Sequence, residues 1–211
     1  MSERKQREER IRNRQGGGWG TASTMYFHAV ELVFLESAKA VADDPTKTSR
    51  WVYAGLPVLV AGVEAFLIEH QNLLKDSSSI QTLAGVEPLR DVLKLYPLTD
   101  ELRQDVEALI EIRNQIVHPS SVPFAQAEWP ESLRRLRDRG VLDGNMPPQS
   151  GMHVLALLAS HRVFDWAVGR CAEALDVIAA SDPQRSWLFY GQARNLWRVL
   201  EKSTPDGAEV C

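Results

Sequence analysis

From Thr21 onward the apolar residues of this chain recur at helical spacing. In "TASTMYFHAVELVFLESAKAVAD", Phe27, Val30, Phe34 and Ala38 fall along one side, and Asp43-Asp44-Pro45 supplies a stop. The next stretch, about 49–75, is "SRWVYAGLPVLVAGVEAFLIEHQNLLK". It is apolar nearly all round, the pattern of a helix enclosed by others at the centre of a bundle. Pro57 predicts a kink or a late start near its first turns. A shorter helix is expected over 80–95, interrupted near Pro88 and ended by Pro97. "LTDELRQDVEALIEIRNQIVH" then reads as a strong helix capped by Thr99. Its stripe holds Leu102, Val106, Leu109, Ile116 and Val117, with Arg113 near the middle.

Prolines at 119, 123, 130, 147 and 148 mark an irregular insert over about 119–150, with a short basic helix, "ESLRRLRDR", inside it. Helices follow at about 151–180 and 183–202. In the first, Val154, Leu157, His161, Phe164, Val168, Cys171, Leu175 and Ile178 alternate three and four apart, as an internal core or a dimer seam would. Trp187, Tyr190 and Trp197 share a face of the second, which favours core packing, with base stacking as the alternative. Period-two alternation of strand length is absent. The expected fold is all-α, an up-and-down bundle of five to seven helices. It forms a single domain over 21–202, between a basic flexible arm at 1–20 and a disordered tail at 203–211.

Composition narrows the function classes. The chain is 44% hydrophobic and 25% charged, enough apolar material for a sizeable core. A formal net charge of −4 argues against a surface that is basic throughout, while leaving room for local basic patches. The first fifteen residues hold six basic and three acidic side chains before "GGGWG", a solvated arm or one that touches phosphates or a partner. Cys171 and Cys211 form neither a disulfide framework nor a zinc pattern, so no metal or other cofactor is expected. The start lacks the apolar core of a signal peptide, and the run 52–68 is short and broken by Pro57 and Glu64. These features predict a cytoplasmic chain without membrane attachment.

Two charged residues break the apolar pattern. Glu64 is the only ionisable group in "VLVAGVEAFLI", and Arg113 lies on a core-facing stripe. Pairing them across neighbouring helices would satisfy both and orient the guanidinium, as a carboxylate–guanidinium fork does. Pro119 disfavours helical geometry at His118, which places that imidazole where the helix breaks. A histidine there also serves simply as a cap that suits the helix dipole.

Arg113-Asn114 followed by His118, at the end of a helix whose neighbour carries "VEAFLIE", resembles the motif of the HEPN superfamily of helical-bundle proteins. Its signature is an arginine, commonly followed by a polar residue, with a histidine four to six positions further on. The resemblance spans about 21–118 and implies metal-independent RNA cleavage at a composite site between two protomers. It also implies a role as a toxin or defence effector, with RNA as substrate and an antitoxin or defence-system protein as a further partner. Under it, His118 transfers protons or organises the scissile phosphate, since histidine titrates near neutrality. Arg113 stabilises transition-state charge, Asn114 positions a phosphate oxygen or the histidine, and Glu64 holds Arg113. The expected products carry 2′,3′-cyclic phosphate and 5′-hydroxyl ends. Some family toxins carry a modified tyrosine two positions after the histidine; Ser120 stands there instead, which argues against that form of pairing.

Arg134, Arg135, Arg137 and Arg139 of the short basic helix read either as a solvated face or as RNA-binding residues beside the site. His161 is expected to be a hydrogen-bonded core histidine, and His28, His70 and His153 carry no pattern. The alternative to a ribonuclease is a catalytically inactive helical bundle that binds a partner or dimerises.

Overall fold

The computed structural model describes residues 21–74, 89–118, 131–142, 151–181 and 186–203. The arm, the tail, the first part of the helix expected over 80–95, Ser120 and the side chains of His153, Trp187 and Tyr190 lie outside what it describes. Among the described residues there are eight helices and no strand. Five are long: α1 (Ala22–Ala40), α2 (Arg50–Leu74), α4 (Asp100–Val117), α7 (His161–Ala180) and α8 (Ser186–Ser203). Three are short: α3 (Leu89–Leu93), α5 (Glu131–Asp138) and α6 (Gly151–Leu158). The fold is an all-α bundle, as the periodicity predicts.

Each boundary has a local cause. Thr21 caps α1, and its side chain accepts from the Thr24 amide. The same end is tied to α2, where Glu69 accepts from both the amide and the hydroxyl of the buried Ser23. Helix α2 continues through Pro57, losing the one backbone bond that the proline nitrogen cannot donate. The stretch 151–180 forms two helices where its spacing suggested one. Ser160 leaves helical geometry and accepts from the Val163 amide as the cap of α7. The α1–α2 connection fills the break, with Ser49 N donating to Ala159 O and Arg162 N donating to Pro45 O.

Helix α1 lies along α2 and α8, α7 along α8, and α4 contacts both α2 and α7. The deepest helix is α7, which buries His161, Phe164, Val168, Cys171, Leu175 and Ile178 among others. Its seam is therefore internal core. Helix α2, expected at the centre, instead keeps one flank half-exposed, with Trp51, Val58, Ala61 and Ile68 on it. Two glycines of α2 admit aromatic rings: a Cβ at Gly55 would collide with the Phe164 ring, and one at Gly62 would stand 2.6 Å from Phe27 Cε1. One stretch, Arg50–Gln71, is long and apolar enough to cross a membrane, and half of it is buried inside the bundle.

Candidate functional site

The site is built on the last two turns of α4. Thr99 starts this helix by accepting from the Leu102 amide at 3.2 Å, with Asp100 and Glu101 in the positive first turn. The buried set is Leu102, Asp105, Val106, Ala108, Leu109 and Ile112. Arg113 consequently sits on the shoulder of the buried stripe and not at its middle, which lies between Asp105 and Leu109. Ile110 and Ile116 beside it are half-buried, and Val117 is 47% exposed. The last turn of α4 has left the core.

Arg113 Nη2 donates to Glu64 Oε1 at 2.7 Å across the α2–α4 interface, with both side chains about one-third exposed (29% and 35%). The expected pair is present, as a single contact in place of a two-pronged fork. Arg113 Nε is buried and makes no hydrogen bond. The head is thus pinned at one terminal nitrogen, while Nε is shut away from solvent.

Helical geometry persists through Val117, and His118 is the C-cap, with φ −126° and ψ 68°. Its amide donates to Asn114 O at 2.8 Å. Pro119 explains that departure from helix. Asn114 and His118, four apart, lie one above the other on the solvent side, both exposed. Arg113 is one residue round the helix from Asn114. A cation held by Glu64, an exposed amide and an exposed imidazole thus lie within the last two turns of one helix, with Arg113 about 140° round the helix from His118.

The four arginines of the basic helix divide. Arg134 pairs with Glu131 and Arg137 with Asp138, both acids of the same helix and largely in solvent. Arg135 and Arg139 turn inward to α4. Arg135 Nε donates to Asp105 Oδ1 at 2.6 Å, Nη1 to Gln104 at 2.8 Å, and Nη2 to the Glu101 carbonyl at 2.7 Å. Arg139 bonds Asp105 Oδ2 at 3.1 Å and also Glu101. Burial acts to lower the Arg139 pKa, but the bond to Glu101 and the charge of Asp105 outweigh it and leave it raised. Asp105 is wholly buried. The sequence reading missed it, although its three-residue step from Leu102 and seven-residue step to Ile112 place it on the apolar stripe.

The other histidines separate by environment. His161 is buried, with Nδ1 3.0 Å from Ser37 Oγ and its ring tilted against Phe34; burial lowers its pKa. This is the hydrogen-bonded core histidine expected from its place on the seam. His70 is also buried, bonded to the Tyr96 hydroxyl at 3.0 Å and stacked on Phe66. Burial pushes the Tyr96 pKa up to about 12 against a smaller opposing effect of Gln71, so the phenol keeps its proton in this packed contact. His28 is exposed beside Glu31. Burial likewise pushes the Cys171 thiol up to about 12, making it an inert core residue. Trp197 donates its indole N–H to Asp176 at 2.5 Å.

No family model, curated protein or solved structure matches this chain. The resemblance to the HEPN superfamily stands on Arg113, Asn114, His118 and the bundle that carries them.

Proposed function

We propose that this chain is a metal-independent endoribonuclease of the HEPN type, acting in the cytoplasm as a toxin or defence effector. The observation that carries the proposal is the anchored Arg113, held by Glu64 beside the exposed Asn114 and His118. In the reaction His118 takes the 2′-hydroxyl proton or orders the scissile phosphate. The 2′-oxygen then attacks the adjacent phosphorus, the bond to the 5′-oxygen breaks, and that oxygen takes a proton from an imidazolium or from water to leave as the 5′-hydroxyl. Arg113, permanently charged, stabilises the extra negative charge of the five-coordinate transition state. Proton transfer and charge stabilisation both come from side chains, so the chemistry requires no bound metal. Asn114 positions a phosphate oxygen or the imidazole.

A second copy of the chain completes the site in this reading. Ile110, Ile116 and Val117 surround the motif with partly exposed apolar surface, which suits packing against an identical helix end. Arg134, exposed at the start of α5, and Arg137 extend the RNA path in this reading, whereas Arg135 and Arg139 are engaged with α4. An antitoxin or other defence protein is the natural controlling partner for such an activity.

A catalytically inactive partner-binding bundle is the second reading. It is favoured by the same ion pair, which gives Arg113 a structural role of its own, and by the cap that His118 forms with its backbone. The two readings part at His118→Ala. Incubation with total RNA in EDTA should show cutting by the wild type and none by the variant, with equal helicity and equal molecular mass in solution. Absence of cutting by the folded wild-type protein would favour the binding module.

A further inference from the structure

Helix α5 is joined to the bundle in an unusual way. It has only eight residues, too few to hold a helix in water without docking. Its apolar contribution is Leu133 and Leu136, both fully buried, with Val141 and Leu142 following the turn at Gly140. That turn requires glycine, since its φ is 66°. Most of the remaining attachment is ionic. Five hydrogen bonds run from Arg135 and Arg139 to one turn of α4, and both oxygens of the buried Asp105 are used. Arg162 adds a bond to the Gly140 carbonyl at 2.5 Å.

The docking also contains a defect. Ser132 is buried in the contact, and its hydroxyl has no hydrogen-bond partner. Such a group loses its hydration on docking and gains nothing in return. Asp105 has the complementary property: as an unpaired buried charge it would be strongly unfavourable, but departure of α5 returns it to water. The same step that breaks the pairs therefore relieves both the carboxylate and Ser132. Opening of α5 is cheaper than opening of an apolar helix of equal burial.

We propose that α5 is a separately releasable element, latched to α4 by Asp105, which switches the molecule between a charge-masked and a basic state. Docked, Arg135 and Arg139 are neutralised by Asp105 and Glu101 of α4. Released, residues 131–142 present four arginines, three leucines and Val141 to solvent while α1, α2, α4, α7 and α8 remain assembled. The released segment would suit a polyanionic partner, and the proposal does not depend on the reaction assigned to Arg113 and His118.

Hydrogen exchange on the full-length protein tests it, with Asp105→Asn and Ser132→Ala as opposed variants. Asp105→Asn should speed exchange of the 133–139 amides by about tenfold or more and leave α7 unchanged. Ser132→Ala should slow exchange in the same segment. Trypsin gives a second readout, because cleavage after Arg135 and Arg139 should accelerate in Asp105→Asn alone. Equal protection in all three proteins would overturn the latch. So would loss of protection in α4 and α7 together with α5, which would make Asp105 part of the global core.

Discussion

At the scale of single residues, the pair Glu64–Arg113 connects the sequence to the candidate chemistry. It was legible because one carboxylate stands alone in an eleven-residue apolar run, and a buried or half-buried charge needs an opposite one nearby. With both groups about one-third exposed, the pair contributes to stability at the scale of a surface ion pair and mainly fixes direction. Glu64→Gln should cost about 1 kcal/mol or less in urea unfolding. RNA cleavage should nevertheless fall by roughly tenfold or more as the Arg113 head loses its anchor. His118→Ala should change stability by less than about 1 kcal/mol, since the imidazole is exposed and the cap bond uses the backbone. Unfolding midpoints measured beside cleavage rates separate the two effects.

His161 supplies the pH dependence at this scale. Burial lowers its pKa, so the folded state prefers the neutral ring. Its contribution is complete above the unfolded value of about 6.5 and is lost as pH falls through that value toward the lower folded one. Between pH 7.5 and 5.5 the wild type should lose stability with a slope of up to about 1.4 kcal/mol per pH unit from this group. The slope should flatten in His161→Gln, as urea titrations at the two pH values would show. Asp105 was the residue least legible in advance. It is wholly buried, and two arginines thirty and more positions away satisfy it. Periodicity locates such a position but does not name its partners.

At the scale of elements, apolar spacing located α1, α2, α4 and α8, the arginine-rich run marked α5, and the start of α4 was readable from Thr99. The break between α6 and α7 was not. Uninterrupted apolar spacing through "VLALLASHRVF" conceals it, and only Ser160 signals a new cap. Ser160→Ala should therefore destabilise the protein by about 1 kcal/mol, the usual value of an N-cap, measured by thermal or urea unfolding. The position of α2 was also only partly legible. Its apolar residues surround the helix, yet Gly55 and Gly62 direct Phe164 and Phe27 to one side and leave the other half-exposed. Gly55→Ala should cost about 1–3 kcal/mol, because the new methyl group meets the Phe164 ring in a packed core. An unchanged unfolding midpoint would show that the ring can move aside.

At the scale of the whole molecule, the bundle explains where a site can exist. Helix α7 and its neighbours form the closed core, so the seam that might have served a dimer is consumed within the chain. The last turn of α4 emerges from that core and brings Arg113, Asn114 and His118 toward the surface, with the partly exposed Ile110, Ile116 and Val117 around them. The acidic net charge fits a molecule whose cations are locally placed, two of them held against α4 by buried and surface acids. The fold was legible because helical periodicity follows directly from burial. Of the candidate site, the Glu64–Arg113 pairing was legible from two charges misplaced in apolar runs, whereas helical spacing alone could not say which side of α4 would be left exposed at Asn114 and His118.

The most direct measurement is the chemistry of RNA ends left by the purified protein in EDTA, with His118→Ala assayed in parallel. The account predicts fragments with 2′,3′-cyclic phosphate and 5′-hydroxyl ends from the wild type and none from the variant. Cutting by both proteins alike, or fragments bearing 5′-phosphate ends, would contradict it.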